Sequence, residues 1–286
     1  MPPQETPTKQ SIETLADVLA CPACRGALRI GQADIRCEAC GAAYDIREGV
    51  PLFARKGSAE TWGEKASAGS SESYQENYEK VVRAEQYNEK YRAKLFKRIS
   101  TRLEFRLLRR LLSTQPRCAT LLDLPCGGGR LSSHLAPSTD LLIEADIALG
   151  QVLYGRGSSR VEALRIWMTA SAFHIPFRDD GVDATVSIRL SHHLPSEEER
   201  ERLVRELLRV SRRFVLMSFF DHNAPKNLLR RARKVLRLDG KKPKKTMTVR
   251  RVSELARECG AELVACPFLA LFGSGHRYAL MVKRTR

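Results

Sequence analysis

The chain has 286 residues, 43% of them hydrophobic, and 49 lysines and arginines against 33 acids, a formal net charge of +16. That length holds one large domain plus a small one with a real core, and the lack of any run of eighteen apolar residues argues against a transmembrane helix. The charge points to an anionic partner, nucleic acid first and an acidic membrane surface second, against the plainer reading of a soluble basic surface.

The opening Met1–Gln10 is polar and proline-rich without a signal-peptide pattern, so a soluble cytoplasmic protein is expected, with residues 1–16 as a disordered tail. Next come Cys21-Pro22-Ala23-Cys24 and, twelve residues on, Cys37-Glu38-Ala39-Cys40. Two such knuckles turn four thiolates toward one point, the ligand set of a closed tetrahedral zinc site. A closed site leaves no open position for chemistry, so Cys21, Cys24, Cys37 and Cys40 are read as structural ligands of Zn2+; two disulfides are the alternative. Gly26 and Gly41 fall where the knuckles turn, and Leu28–Ile30 with Ala33–Arg36 alternate like a hairpin. Together with Tyr44–Phe53, this stretch resembles the small zinc-ribbon activator subunits of tRNA and release-factor methyltransferases. In architecture it is also similar to bacterial large-subunit rRNA guanine methyltransferases. The ribbon is assigned to 17–56.

Residues 57–72 read as a serine- and glycine-rich linker, and 73–286 as the main domain. From Tyr74 to Leu112 the pattern is helical and basic, with Leu95, Ile99, Leu103, Leu107 and Leu111 recurring at fours among Arg102, Arg106, Arg109 and Arg110. This predicts a helix packed on a sheet with a solvated basic face.

An apolar run, Thr120–Leu124, then leads through Asp123 and Pro125 into Cys126-Gly127-Gly128-Gly129, with a helical pattern following. That order is strand, tight turn, helix, in which glycines let the backbone approach a ligand and helix N–H groups face it. A second apolar run ends at Glu144-Ala145-Asp146, about where an acid binds ribose hydroxyls in doubly wound folds. Further strands are predicted near 163–168, 182–189, 213–219, 261–267 and 276–283. Helices are predicted near 128–136, 148–156, 195–210 and 248–259. This is an α/β alternation with a parallel centre. Between the fifth strand and the last long helix, 223–247 is a lysine- and arginine-rich insertion with a turn at Asp239-Gly240, expected to contact phosphates or else to be a solvated loop. Cys118, Cys126, Cys259 and Cys266 read as buried thiols.

The wording Asp123-Leu124-Pro125-Cys126-Gly127-Gly128-Gly129-Arg130-Leu131 and Asp146-Ile147-Ala148 resembles the class I S-adenosylmethionine-dependent methyltransferases. Ser171–Phe177 and Asp183–Leu194 are similar to that family's next two motifs. The resemblance implies a Rossmann-like seven-stranded sheet and S-adenosyl-L-methionine as cofactor. It implies a cofactor-binding set of Asp123, Pro125, Gly127, Gly129, Asp146, Ser171, Ala172 and Arg189. It also implies that Tyr74, Tyr78 and Tyr87 cover the cofactor mouth. Pro125 stands where the family has a glycine, removing one N–H, and Ser171 where it has an acid, leaving a weaker hydroxyl. Proton-transfer candidates at the strand ends are His193, beside His192, and Asp221. RNA is the favoured acceptor, on charge and architecture. The alternatives are a small-molecule or lipid-like acceptor and a non-catalytic RNA-binding or activator protein.

Overall fold

Strands and helices alternate along most of this chain, and in the computed structural model, which describes residues 12–54, 95–159, 161–235, 245–270 and 274–284, they build two sheets. The first is antiparallel, in the order β1 (Leu28–Ile30), β2 (Asp34–Cys37), β3 (Ala43–Arg47) and β4 (Val50–Pro51). Leu28 pairs with Cys37 and Ile35 with Tyr44, which turns Ile35, Cys37 and Tyr44 inward together.

The second sheet has seven strands: β5 (Cys118–Asp123), β6 (Thr139–Asp146), β7 (Leu164–Thr169), β8 (Val182–Ser187), β9 (Ser211–Phe220), β10 (Ala261–Ala265) and β11 (His276–Lys283). Their spatial order is β10-β11-β9-β8-β5-β6-β7, with β5 to β9 parallel and β11 antiparallel to both of its neighbours. Every residue of β8 is buried, as a central parallel strand covered on both faces requires. Among the described residues the α-helices are α1 (Leu95–Leu112), α2 (Ser132–Leu135), α3 (Leu149–Ser158), α4 (Glu197–Val210), α5 (Pro225–Val235) and α6 (Val249–Glu258). A capping box starts α4: the Glu199 N–H donates to Ser196 Oγ at 3.1 Å and the Ser196 N–H to Glu199 Oε2 at 2.9 Å. Thr248 Oγ1 caps α6, and Gly260, at φ +73°, lets the chain leave it.

Three expectations change. Residues 12–16 are not a loose tail: Ile12, Leu15 and Leu19, spaced three and four apart, form one buried stripe. The helix expected over 128–136 shrinks to Ser132–Leu135 and a following single turn, because Gly129 sits at φ +72°, outside helical space. On α1 the buried residues are Glu104, Leu108, Leu111 and Leu112, while Ile99 and Leu103 are exposed. A row of residues at strict fours drifts about 40° per step around a helix of 3.6 residues per turn, so it cannot stay on one face for four steps. The linker 57–72, Tyr74, Tyr78 and Tyr87, and Lys241, Lys242 and Lys244 of the basic insertion lie outside the described residues.

The ribbon and the large sheet share one core. Ile12, Leu15, Leu19 and Phe53 belong to the same buried cluster as Ile143, Met168, Ala170 and Phe177. Backbone joins them as well: Leu52 bridges Thr169 in parallel, Leu19 bridges Phe177, and the Phe53 N–H donates to the Thr169 carbonyl at 3.1 Å. The ribbon thus extends the edge of the sheet at β7. Among the described residues no helix is long and apolar enough to cross a membrane.

Candidate metal centre and cofactor site

At each knuckle the backbone turns back on itself. The Arg25 N–H donates to the Cys21 carbonyl at 2.7 Å and the Gly41 N–H to the Cys37 carbonyl at 3.0 Å, with φ of +64° at Arg25 and +70° at Gly41. Gly26 has a different reason from the turn first assigned to it. A Cβ there would stand 2.7 Å from the Ala39 Cβ and 3.2 Å from Cys37 Sγ. The result brings the sulfurs of Cys21, Cys24, Cys37 and Cys40 within 4.8 Å of one another. Cys21 Sγ lies 3.8 Å from Cys40 Sγ, and Cys24 Sγ 3.4 Å from Cys37 Sγ. A tetrahedron with metal–sulfur bonds of about 2.3 Å has edges of about 3.8 Å, whereas a disulfide needs about 2.05 Å. The donor set therefore fits structural zinc. Tyr44 Oη, 3.1 Å from Cys21 Sγ, and the N–H groups of Gly26 and Cys40 support the sulfurs from outside.

The second site lies where β5 and β6 end. The turn after β5 is tied to both neighbouring strands: the Leu124 N–H donates to the Val186 carbonyl and the Cys126 N–H to the Ala145 carbonyl. The Leu124–Pro125 peptide is cis, and Gly127 and Gly129 have φ of +55° and +72°. Asp146 holds the turn, accepting from the Gly127 N–H at 2.9 Å and the Ala148 N–H at 3.0 Å. Burial pushes its carboxyl up to about 6 against those hydrogen bonds. Each oxygen keeps a further lone pair for a ligand hydroxyl. Burial also pushes neighbouring Glu144 up to about 7; Ser132 Oγ donates to it and Arg165 stands 3.5 Å away.

Asp123 is different. It is fully buried, and neither carboxylate oxygen has a hydrogen-bond partner among the described residues. Burial first, then the Glu144 carboxylate, holds its carboxyl well above the usual range. Gln151 Oε1, also buried and unpartnered, lies 4.0 Å from where a Gly127 Cβ would be. Buried acceptors left open cost free energy, so their gathering at a glycine turn marks a place for a donor-rich, cationic group. Beside it a shallow apolar slot, with room for about 20 Å³, is lined by Leu124, Pro125, Ile147, Ser171, Ala172, Phe173 and Leu190. Ser171 Oγ accepts from the Phe173 N–H at 3.3 Å, which leaves its own proton to donate. These features fit S-adenosylmethionine. Asp123 and Gln151 could hold its ammonium, Asp146 its ribose hydroxyls, and the apolar side chains along the slot could lie against its adenine.

The remaining candidates lie along the same edge. Arg189, at φ +66°, points at Glu104 of α1, donating from Nε at 3.0 Å and Nη2 at 2.9 Å. Arg130 and Tyr278 donate to the same carboxylate. His193 is exposed, with its ring 4.2 Å from that of His192; His192 in turn contacts Phe220 and His276. Asp221 is buried, pairs with Arg277 Nε at 2.7 Å and accepts from the Asn223 N–H at 3.0 Å, which is the work of a loop-shaping acid. Sequence reasoning missed Glu104, Gln151 and His276. Only Glu104 left a signal, as an acid inside an apolar helical stretch.

A mostly parallel seven-stranded sheet with one antiparallel strand, a glycine turn after its first strand and an acid after its second defines the class I methyltransferase fold. The chain carries a methyltransferase domain, matched over residues 122–219, behind a Trm112p-like zinc ribbon, matched over residues 13–49. Over 101 residues it is 32% identical to the tRNA (carboxymethyluridine(34)-5-O)-methyltransferase of Arabidopsis thaliana, covering 35% of this chain and 23% of that protein. Thus the match spans under a quarter of that relative's length. Over 41 residues it is 40% identical to a UPF0434 protein of Stutzerimonas stutzeri, covering 14% of this chain and 67% of that one. The magnesium protoporphyrin IX methyltransferase of Synechocystis PCC 6803, solved with SAH bound, superposes with a TM-score of 0.61 at 13% identity, covering 74% of this chain and 98% of that one.

Proposed function

We propose that this protein transfers a methyl group from S-adenosylmethionine to RNA. The observation that carries the reading is the buried, unpartnered carboxylate of Asp123 between the glycine turn and the apolar slot. Asp123, Gly127, Gly129 and Asp146 would hold the methionine and ribose parts, Pro125, Ser171 and Ala172 the adenine. A sulfonium bound there supplies an activated methyl group. The protein's task is to hold acceptor and methyl in line in a dry pocket. Arg189, braced by Glu104, would close the pocket toward α1. His193 is the proposed proton acceptor; Asp221 would act through Arg277, shaping the loop.

The RNA acceptor is supported by the net charge of +16 and by the tRNA substrate named for the Arabidopsis relative. A reducing cytoplasm is the compartment in which four thiolates remain available for zinc. Calorimetry with S-adenosylmethionine tests the first half of the proposal: no binding would return the protein to the RNA-binding or activator alternative. Mass spectrometry of RNA and metabolites from a deletion strain tests the second half. A missing methylated nucleoside supports it, and a missing methylated metabolite with unchanged RNA sinks it.

A further inference from the structure

The ribbon and α4 do not close fully on each other. Between them lies an open cleft of about 330 Å³, lined by Arg25 of the first knuckle, by Arg202, Arg205 and Arg209 of α4, and by Phe173 and His174. Four guanidiniums face one lining carboxylate, Glu206. Two of the four have internal work that fixes the wall. Arg209 binds Glu206, Asp179 and the carbonyls of Ile175 and Phe177, and Arg205 binds Glu258 at 2.5 Å. Arg202 is held otherwise, over the Phe173 ring at 5.2 Å with Nη2 against His174 Nε2. His174 Nδ1 lies 3.1 Å from the Pro22 carbonyl, so the tautomer satisfying both contacts carries its proton on Nδ1. His174 thereby links the ribbon to Arg202.

Arg25 supplies an independent clue. The two knuckles place a left-handed residue directly after their second cysteine; it is Gly41 in one and Arg25 in the other. The same knuckle turn, closing on the Cys21 and Cys37 carbonyls, imposes this φ at both positions, and at the first of them the chain carries a guanidinium where glycine would be unstrained. The strained position projects an exposed guanidinium at the cleft.

We propose that this cleft, made jointly by the zinc ribbon and α4, grips the phosphates of the RNA acceptor. The proposal rests on the RNA reading above. Planar guanidinium forks suit phosphate oxygens, and an anion relieves the repulsion among cations brought to one cleft. Phe173 lines both the cleft and the slot beside the glycine turn, so one side chain separates the two.

The test titrates fluorescein-labelled bulk transfer RNA into the full-length, zinc-loaded protein at several salt concentrations. Wild type is compared with the pair Arg25→Ala/Arg202→Ala, the pair Arg25→Lys/Arg202→Lys, and Arg25→Gln alone. S-adenosylmethionine calorimetry is run on each preparation. The alanine pair should bind RNA about tenfold more weakly, with the log–log salt slope flattened by about one to two units, at roughly 0.7–0.9 per lost phosphate contact. The lysine pair should recover most of the loss, and cofactor affinity should not move. Should the alanine pair lose cofactor binding through misfolding, Arg25→Gln, which leaves the Phe173 stack intact, decides by itself with a slope change of about 0.7–0.9. Wild-type binding with unchanged variants overturns the cleft and leaves the RNA reading standing. Wild type that binds no RNA at all overturns that reading, and the cleft with it.

Discussion

The zinc ribbon and the glycine turn are built alike and finished differently. Both use left-handed residues to turn the backbone sharply, Arg25 and Gly41 in the first, Gly127 and Gly129 in the second. In the ribbon the four sulfurs meet at metal distance, and N–H groups and Tyr44 support them from behind. At the turn the supporting bonds are equally complete around Asp146, yet the Asp123 carboxylate and Gln151 Oε1 have no partner among the described residues. A closed set of interactions contributes stability. An open set costs stability until a ligand completes it.

The contrast breaks most visibly at the metal. Apparent zinc binding in small peptides contributes about 10–16 kcal/mol of folding free energy. Because the ribbon shares its core with β6 and β7, Cys37→Ser or chelation should disturb more than the ribbon. A calorimetric scan should show one transition moved down by about ten degrees or more, at roughly 2–4 °C per kcal/mol for a domain of this size. A ribbon that melts alone, with the main transition unmoved, would show the two regions to be energetically separate.

Glu104 is a second closed set, this time without a metal. Burial opposes its charge, but Arg130 and Arg189 outweigh that and hold the carboxyl below the usual range. Removing one partner of a buried pair costs about 3–5 kcal/mol; the low end applies to Glu104→Ala, because part of each guanidinium reaches solvent. The stabilisation is present above the ordinary glutamate pKa and disappears as pH falls through the lower native value. Urea denaturation at neutral and acid pH should show the gap between wild type and Glu104→Gln narrowing in acid.

Within the turn the two glycines should separate. A left-handed non-glycine residue costs about 1–2 kcal/mol, which is what Gly127→Ala should lose, since nothing crowds its Cβ position closer than 4.0 Å. At Gly129 a Cβ would meet Ser132 Oγ at 2.9 Å and the Trp167 ring at 3.1 Å. Overpacking should then bring the loss to about 2–4 kcal/mol. Equal urea midpoints for the two variants would mean that Trp167 and Ser132 give way freely.

The smallest effect should be the one on ligand affinity. Asp146→Ala should weaken S-adenosylmethionine about tenfold, the middle of the range for losing a buried acceptor. The native carboxyl titrates at about 6, above its ordinary value. Its contribution to the stability of the free protein is therefore fully present below the ordinary carboxylate range and is lost as pH rises through about 6. Ribose hydroxyls donate to the ionised form, so cofactor affinity should climb across that same window, and calorimetry on Asp146→Asn should show the climb abolished. An unchanged affinity in both variants would hand the ribose role to another group, Glu144 first.

The sequence by itself determined the periodic and the local. Cysteine spacing specified four convergent sulfurs. The run Leu121–Gly129 specified strand and turn, because glycine spacing and apolar runs are properties of neighbouring residues. Tertiary structure decided what depends on residues far apart in the chain. Which face of α1 turned inward was settled by Glu104 finding Arg189 and Tyr278, 85 and 174 residues away. Whether Asp221 was free or committed depended on Arg277, 56 residues on. Ile12 and Leu15 looked like part of a tail until the edge of β7 supplied the apolar surface that buries them. Long-range partners of this kind leave no spacing to read, since a hydrogen bond or a buried contact constrains distance in space and not separation along the chain.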